Sequence, residues 1–197
     1  MKLFFCDVET TGLDPSKYGL IQVAGIVEID GEEVERFNYP IKPFRGDLIN
    51  EKALEVNRIT RDKLELFPEP ATVYAKMMST LEKYCSKFDR TDKFFFVGYN
   101  ATFDDNFLRA FWQKNKDKYY GSFFWWPPID VAVLAASALM SDRASFSDFK
   151  LVTVATKLGI EFAGDAHDAM ADIEVTRQIY RKLVPGTHLS VAKEQAH

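Results

Sequence analysis

The sequence holds few of the residues that would build a zinc centre, a disulfide framework or a membrane span. Its 197 residues include 3 His and 2 Cys, too few for a structural zinc site. Cys6 and Cys85 are expected to be free buried thiols in a reducing compartment. No apolar run reaches the roughly 18 residues of a membrane span, and no signal peptide opens the chain, so we expect a cytoplasmic protein without a membrane partner.

An excess of basic residues is also lacking. The 25 Lys and Arg face 29 Asp and Glu, which gives a net charge of −4. This argues against long-range electrostatic binding of nucleic acid, but it permits a small site whose charge is set by metal ions. Apolar residues are abundant at 47%, with 17 Phe, so the chain can bury a sizeable core. We predict one domain over residues 1–185 and a short, flexible polar tail over 186–197.

Hydrophobic periodicity places strands early in the chain and helices late. The predicted strands cover 2–8, 20–29, 34–42 and 94–98, and the run Phe-Phe-Trp-Trp at 123–126 is predicted as the last strand, stopped by two prolines. The predicted helices cover 50–57, 71–88, 102–115, 130–139, 147–158 and 166–184. This order predicts an α/β fold with a mixed sheet flanked by helices.

Four acidic residues interrupt apolar faces in these elements. Asp7 and Glu9 lie two residues apart in the first strand and therefore share one face of it. Asp104 extends the apolar face of helix 102–115, and Asp172 lies about 45° from the centre of the buried stripe of the last helix. Taken singly, each could be a buried acid with an ordinary hydrogen bond.

Two neighbouring acids have simpler explanations. Thr102-x-x-Asp105 resembles a capping box at a helix start, which predicts an ordinary structural role for Asp105. Asp168 lies nearer the edge of the last helix's stripe, about 85° from its centre, and with Asp165 could cap that helix.

The four inward acids together predict a metal site. They would repel one another, and no Lys or Arg falls on the inward positions of these segments. Hard divalent cations bound by oxygen, Mg²⁺ or Mn²⁺, are the natural partners.

Three short motifs carry a family resemblance. Asp-Val-Glu-Thr-Thr-Gly at 7–12 resembles the first motif of the DnaQ-like, DEDDh-type 3′→5′ exonucleases. Residues 100–108 resemble their second motif, Asn-x-x-Phe-Asp-x-x-Phe-Leu, and residues 167–172 match the third, His-x-Ala-x-x-Asp. The motifs occur in order and at usual separations over nearly the whole chain. One departure is Tyr99, where many relatives carry His.

The resemblance implies an RNase H-like fold with a mixed five-stranded sheet, and hydrolysis assisted by two ions of Mg²⁺ or Mn²⁺. By resemblance, Asp7, Glu9 and Asp172 hold the first ion, and Asp7 with Asp104 holds the second, partly through water. His167 would accept the proton of the attacking water, since an unperturbed imidazole pKa of about 6.5 suits a base near neutrality.

The substrate contacts implied by the family fall in the first two motifs. Thr10, Thr11, Gly12 and Leu13 would approach the 3′-terminal nucleotide, with Leu13 against the terminal base. Core packing is the alternative for Leu13, and Phe103 either stacks on a base or packs inside. The aromatic run at 123–126 could be a stacking platform, although a buried strand is favoured.

The sequence therefore predicts a metal-dependent 3′→5′ exonuclease that releases nucleoside 5′-monophosphates from single-stranded ends. DNA is the favoured substrate, with a polymerase or repair partner. Two alternatives stay open: an RNA-trimming exoribonuclease of the RNase T or oligoribonuclease type, and a nucleic-acid-binding module that has lost activity.

Overall fold

A mixed five-stranded sheet forms the centre of the computed structural model, which describes residues 1–161 and 168–185. The strand order is β3-β2-β1-β4-β5, with antiparallel pairing among the first three and parallel pairing of β1 with β4 and of β4 with β5. The predicted α/β class is confirmed. The strands are β1 Lys2–Thr10, β2 Leu20–Ile29, β3 Glu32–Pro40, β4 Phe95–Gly98 and β5 Ile129–Asp130.

Helices cover both faces of this sheet. The helices are α1 Glu51–Val56, α2 Arg61–Glu65, α3 Pro70–Tyr84, α4 Ala101–Lys114, α5 Val131–Ala138, α6 Leu151–Lys157 and α7 Ala169–Leu183, and short 3-10 turns lie at Tyr120–Ser122 and Met140–Ser145. Apolar residues of α3 and α4 pack against one face, and those of α5, α6 and α7 against the other. No helix among the described residues is long and apolar enough to cross a membrane.

The alternation of β1 decides which side chains meet which helices. Phe4 and Cys6 belong to the core under α3 and α4, whereas Leu3 and Phe5 belong to the core under α7. The ring of Phe5 meets that of Tyr180 edge-on, with 5.6 Å between centroids. Because side chains alternate along a strand, the positions that continue the Leu3 and Phe5 face also point to the α7 side.

The predicted last strand at 123–126 is wrong. Phe124 makes only an isolated parallel bridge to Phe94, and regular pairing resumes five residues later, where Ile129 pairs with Val97. The intervening segment contains two prolines, which have no N–H for a ladder. Helix α2 was not predicted, although Thr60 caps it through its side chain. Cys6 and Cys85 are free and buried, as predicted.

Candidate active site

Strand β1 presents two carboxylates beyond its apolar segment. Asp7 and Glu9 continue the face of Leu3 and Phe5, and both side chains are half-buried. Opposite them, α7 begins only at Ala169, so its first turn lies near these acids and its later turns cover the apolar part of the strand.

Helix α4 brings a third carboxylate to the same strand. Asn100, in the left-handed region at φ 64°, reverses the chain between β4 and α4. Asp104 follows in the first turn and is only 3% exposed. β4 pairs with β1 only as far as Phe5, and the Val8 N–H beyond that point donates to Asp104 Oδ1 at 3.1 Å. The Asp104 carboxylate therefore contacts the edge of β1 at Val8, the residue between Asp7 and Glu9.

The first turn of α7 adds two more acids. Asp168 is the N-cap, and its Oδ1 accepts from the Met170 N–H at 3.1 Å, so the predicted capping role is confirmed. Asp172 lies half-buried in the same turn. The predicted base His167 immediately precedes this helix and lies outside the described residues.

The carboxylates of this cluster have raised pKa values, in part because their negative charges lie close together. Burial raises the pKa of Glu9 to about 8, and the negative charges of Asp172 and Asp168 add to the rise. The pKa of Asp7 is raised well above its usual range by burial and then by the charges of Asp104, Glu9 and Asp172. Burial likewise raises the pKa of Asp104, although the hydrogen bond from Val8 opposes the rise. These shifts show that the fold brings together the acids that the sequence singled out.

Asp130 is a member of this region that the sequence analysis missed. Its Oδ1 accepts from the Asn100 N–H at 3.1 Å and from the Ala132 N–H at 2.9 Å, so it caps α5 and ties the start of α4 to β5. Its charge contributes to the raised pKa of Asp104. The signal was present in the sequence, because an Asp directly before the apolar run Val-Ala-Val-Leu is typical of an N-cap.

Asp105 does not have the predicted capping role. The N-cap of α4 is Asn100, so Thr102 already lies inside the first turn. Asp105 is 3% exposed; its Oδ1 accepts from the Tyr120 hydroxyl at 2.7 Å and its Oδ2 from Arg109 Nη2 at 3.4 Å. It is a buried acid with partners, in contrast to its neighbour Asp104.

The donor chemistry of the cluster fits a hard divalent cation. Within residues 1–161 and 168–185, no Lys or Arg forms an ion pair with Asp7, Glu9 or Asp104. In the same ranges, no three His, Cys, Asp or Glu side chains are arranged to hold an ion as they stand. The set consists of carboxylate oxygens whose mutual repulsion a bound cation would relieve, which is the chemistry that Mg²⁺ and Mn²⁺ favour.

A cleft of about 340 Å³ opens beside Glu9. Leu13 lines it and is 84% exposed, so core packing, the alternative considered for this residue, is wrong. Phe103 is partly buried against Phe107, with 4.9 Å between ring centroids, and it also faces the cleft. The other lining residues are Val8, Thr10, Gly12, Asn50, Lys52, Ala53, Val56 and Asn57.

The loop after β1 is shaped by contacts of its own backbone. Thr11 is fully buried and does not line the cleft; its hydroxyl donates to Leu48 O at 2.6 Å and accepts from the Gly19 N–H at 2.8 Å. A Cβ on Gly12 would lie 2.3 Å from the Tyr18 ring, so only glycine permits this approach. The Asn57 amide donates to Thr10 O at 3.0 Å and fixes the second wall of the cleft to the strand end.

Comparison with known proteins gives the same family as the motifs. The family model described as Exonuclease (RNase_T) matches residues 4–180. A PolC-type DNA polymerase III from Thermotoga petrophila is 32% identical over 178 residues, which cover 90% of this chain and 11% of the polymerase. A ribonuclease T from Buchnera aphidicola subsp. Schizaphis graminum is 28% identical over 186 residues, covering 90% of this chain and 80% of that protein.

Solved structures agree on the fold. Escherichia coli exonuclease I, crystallised with a dT13 oligonucleotide, superposes with a TM-score of 0.72 at 23% identity. The match covers 95% of this chain and 41% of that one, so this chain spans less than half of exonuclease I and about a tenth of the polymerase. The chain belongs to the DnaQ-like 3′→5′ exonuclease family and has its RNase H-like fold.

Proposed function

We propose that this chain is a metal-dependent 3′→5′ exonuclease that releases nucleoside 5′-monophosphates from single-stranded DNA ends. One observation carries the proposal: Asp7, Glu9 and Asp104 form a cluster of carboxylates with raised pKa values, beside a cleft of about 340 Å³. That volume falls within the usual range of small-ligand sites. Glu9 belongs to both features, so a nucleotide in the cleft would have its 3′-terminal phosphodiester near the acids.

The chain's own residues would hold the ions and the terminal nucleotide. Asp7, Glu9, Asp104 and Asp172 would bind two Mg²⁺ or Mn²⁺ ions, which when bound stabilise charge on the attacking and leaving oxygens and acidify a water molecule. The hydrogen bond from Val8 would keep Asp104 oriented when it is ionised. His167 would take the proton of the attacking water.

The cleft would seat the terminal nucleoside. Leu13 and Phe103 would be its apolar contacts for the base, and Thr10 and Gly12 also line it. Leu13 supports this role because its exposed side chain lines the cleft beside Glu9. Thr11 would act indirectly, by holding the loop in shape.

The choice of DNA is supported by the names of similar proteins. One relative is a DNA polymerase, and exonuclease I was crystallised with a deoxyribonucleotide oligomer. The polymerase relative also supports a polymerase or repair partner. The second candidate substrate is RNA, which the likeness to ribonuclease T favours.

The test is a time course with 5′-labelled single-stranded DNA and RNA of one sequence, in Mg²⁺ and in EDTA. We expect products that shorten from the 3′ end only in Mg²⁺, with DNA degraded faster. Faster loss of RNA would favour the exoribonuclease. Oligonucleotides that keep their full length in both Mg²⁺ and Mn²⁺ would favour an inactive binding module.

The proposed base has a separate test. His167→Ala should lower turnover by about 10²–10⁴-fold when chemistry limits the rate, the usual contribution of a general base. His188→Ala, in the tail predicted from the sequence at 186–197, is the matched control and should leave turnover unchanged. Unchanged turnover in His167→Ala would remove this residue from the mechanism.

A further inference from the structure

A second groove lies at the opposite edge of β4, away from the carboxylates. It encloses about 670 Å³, more than the active-site cleft. We call it the edge groove, and its principal lining residues are Lys93, Asn106, Arg109, Phe124, Trp125 and Trp126.

An irregularity in strand pairing exposes the aromatic side of this groove. Val97 follows Phe94 by three positions, whereas its partner Ile129 follows Phe124, the partner of Phe94, by five. The extra residues bulge outward from the sheet. As a result Trp126 is 72% exposed, although Phe124 beside it is buried in the core. The exposed indole of Trp126 therefore lines a concave surface, where a ligand could contact it.

The polar side of the groove carries two basic residues, Lys93 and Arg109, of which Arg109 is also paired with Asp105 at 3.4 Å. The Lys93 ammonium lies 5.4 Å from the Trp125 ring centroid and donates to Gly121 O at 2.7 Å. The Arg109 guanidinium lies over the Tyr120 ring at 4.6 Å. Among the described residues that line the groove, none is acidic, although the whole chain carries a net charge of −4. The groove therefore suits an anionic ligand that has flat rings.

We propose that the edge groove binds upstream nucleotides of the same single strand whose 3′ end lies in the active-site cleft, an inference that rests on the proposed function. Bases would stack on Trp126, and backbone phosphates would lie near Lys93 and Arg109. Aromatic faces interleaved with cations bind single strands without reading sequence, because every base has a face to stack. An acidic protein segment would use the cations but would leave the exposed indole without a flat partner.

The sheet sets the distance between the two sites. Phe95 pairs with Leu3, and Asp7 lies four residues further along β1, which is about 13 Å at roughly 3.3 Å per residue. The Trp125 ring lies against that of Phe95, so it marks the tryptophan end of the groove, whereas Arg109 lies at a nearer end, five residues along α4 from Asp104. The tryptophan end also lies on a different segment of the sheet, so about 15 Å or more separates it from Asp7. At roughly 3.4 Å per nucleotide of a stacked strand, this corresponds to about four or five nucleotides. A trinucleotide in the cleft would not reach Trp126, whereas a strand of about 15 nucleotides would occupy both the cleft and the groove.

Binding in EDTA tests the proposal without cleavage. We would measure fluorescence anisotropy of 5′-labelled oligothymidylates of about 3 and about 15 nucleotides with the wild type and with Trp126→Ala. Loss of one stacked base should weaken binding of the long strand by roughly 5- to 150-fold and leave the short strand unchanged. Phe88→Ala removes another exposed aromatic ring, outside the groove, and should affect neither strand.

Other outcomes have distinct meanings. If Trp126→Ala bound the long strand like the wild type, or lost affinity for both lengths equally, the proposal would be wrong. In the first case the groove would be a candidate surface for a protein partner. Cleavage of the trinucleotide in Mg²⁺ reports the proposed function separately, and it should be equal in the wild type and in Trp126→Ala.

Discussion

Two glutamates on the same sheet have pKa values that are shifted in opposite directions. Glu9 on β1 has a pKa raised to about 8 by burial and by the charges of Asp172 and Asp168. Glu33 on β3 has a pKa lowered to about 2, first by its hydrogen bonds from Arg36 and then by Arg177. The difference lies in burial and in partners: Glu9 is more deeply buried and lies near acids, whereas Glu33 is paired with arginines.

Helix α7 connects these two environments. Its first turn carries Asp168 and Asp172 toward the acid cluster, whereas Arg177 and Arg181, one and two turns further on, both reach Glu28 on β2. Glu28 is 1% exposed and Arg177 is also buried, so this pair is largely out of water, whereas Arg181 is partly exposed. A well-anchored helix can hold repelling acids in place at its other end. Such local destabilisation, supported elsewhere in the fold, is a common feature of functional sites.

The largest expected effect separates two adjacent aspartates. Asp104→Asn should reduce cleavage by at least about 10³-fold, because several kcal/mol of charge stabilisation depend on the cluster. Asp105→Asn, the matched control, should keep most of the activity, since Asp105 bonds Tyr120 and Arg109 instead of facing the cluster. The comparison is made from single-turnover rates at equal protein concentration.

Circular dichroism should show both variants folded. Equal losses of activity in the two aspartate variants would contradict the division between a functional acid and a structural one.

Periodicity and motifs predicted the sheet, most helices and the acid cluster, because these depend on local spacing. Asp104 could be distinguished as inward because it lies on the apolar stripe of its own helix. The burial of Asp105 could not be predicted, since its partner Tyr120 comes from a turn fifteen residues away in sequence. Ion pairs such as Glu28 with Arg177 join residues far apart in the chain and leave no periodic signal.

The second prediction concerns the network. Glu28→Ala should lower the free energy of unfolding by about 3–5 kcal/mol, because Arg177 and Arg181 lose their shared buried carboxylate. Glu35→Ala removes the partner of Lys83 in a more exposed pair on β3 and should cost less than about 1 kcal/mol. Urea denaturation of both variants checks the difference.

Cleavage by Glu28→Ala should persist at temperatures where it is fully folded. If activity disappeared from the folded protein, the network would also be needed to position Asp172, and the two ends of α7 would not act separately.

The third prediction is a pH dependence of stability in EDTA. The folded protein holds a proton on Glu9 up to about pH 8, whereas the unfolded chain releases it near 4.5. Since the native state binds more protons in this window, stability should fall as pH rises from about 4.5 to 8. Glu33 has the opposite sign, but its contribution is lost only toward pH 2, outside the window.

Glu9→Gln should show a shallower decline than the wild type, and the difference between the two cancels groups that titrate alike in both. Parallel curves from urea denaturation at several pH values would contradict the assigned cause.

The predicted and observed boundaries agree best at β2, Leu20–Ile29, which is a nearly continuous buried apolar run that ends at a turn. The largest error was the last strand. β5 is only two residues long and lies at the sheet edge, so no period could identify it, and the aromatic run before it was the stronger apolar signal. In the aromatic run at 123–126 some side chains are buried and others exposed because of the bulge. The bulge follows from the pairing of β4 with β5, which the sequence alone does not indicate.

The central claim is that Asp7, Glu9 and Asp104, with which no Lys or Arg of the described residues forms an ion pair, bind divalent cations. Its most direct test is thermal melting of the wild type and Asp7→Asn with and without Mn²⁺. Mn²⁺ at 100 times Kd should stabilise the wild type by roughly 2.7 kcal/mol per site. At about 2–4 °C per kcal/mol, Tm should rise by about 5–10 °C. Metal-free Asp7→Asn should be at least as stable as the wild type, because it removes a repelling charge, and its response to Mn²⁺ should be small. Equal responses of the two proteins, with the metal-free variant markedly destabilised, would contradict the account and make Asp7 a structural acid.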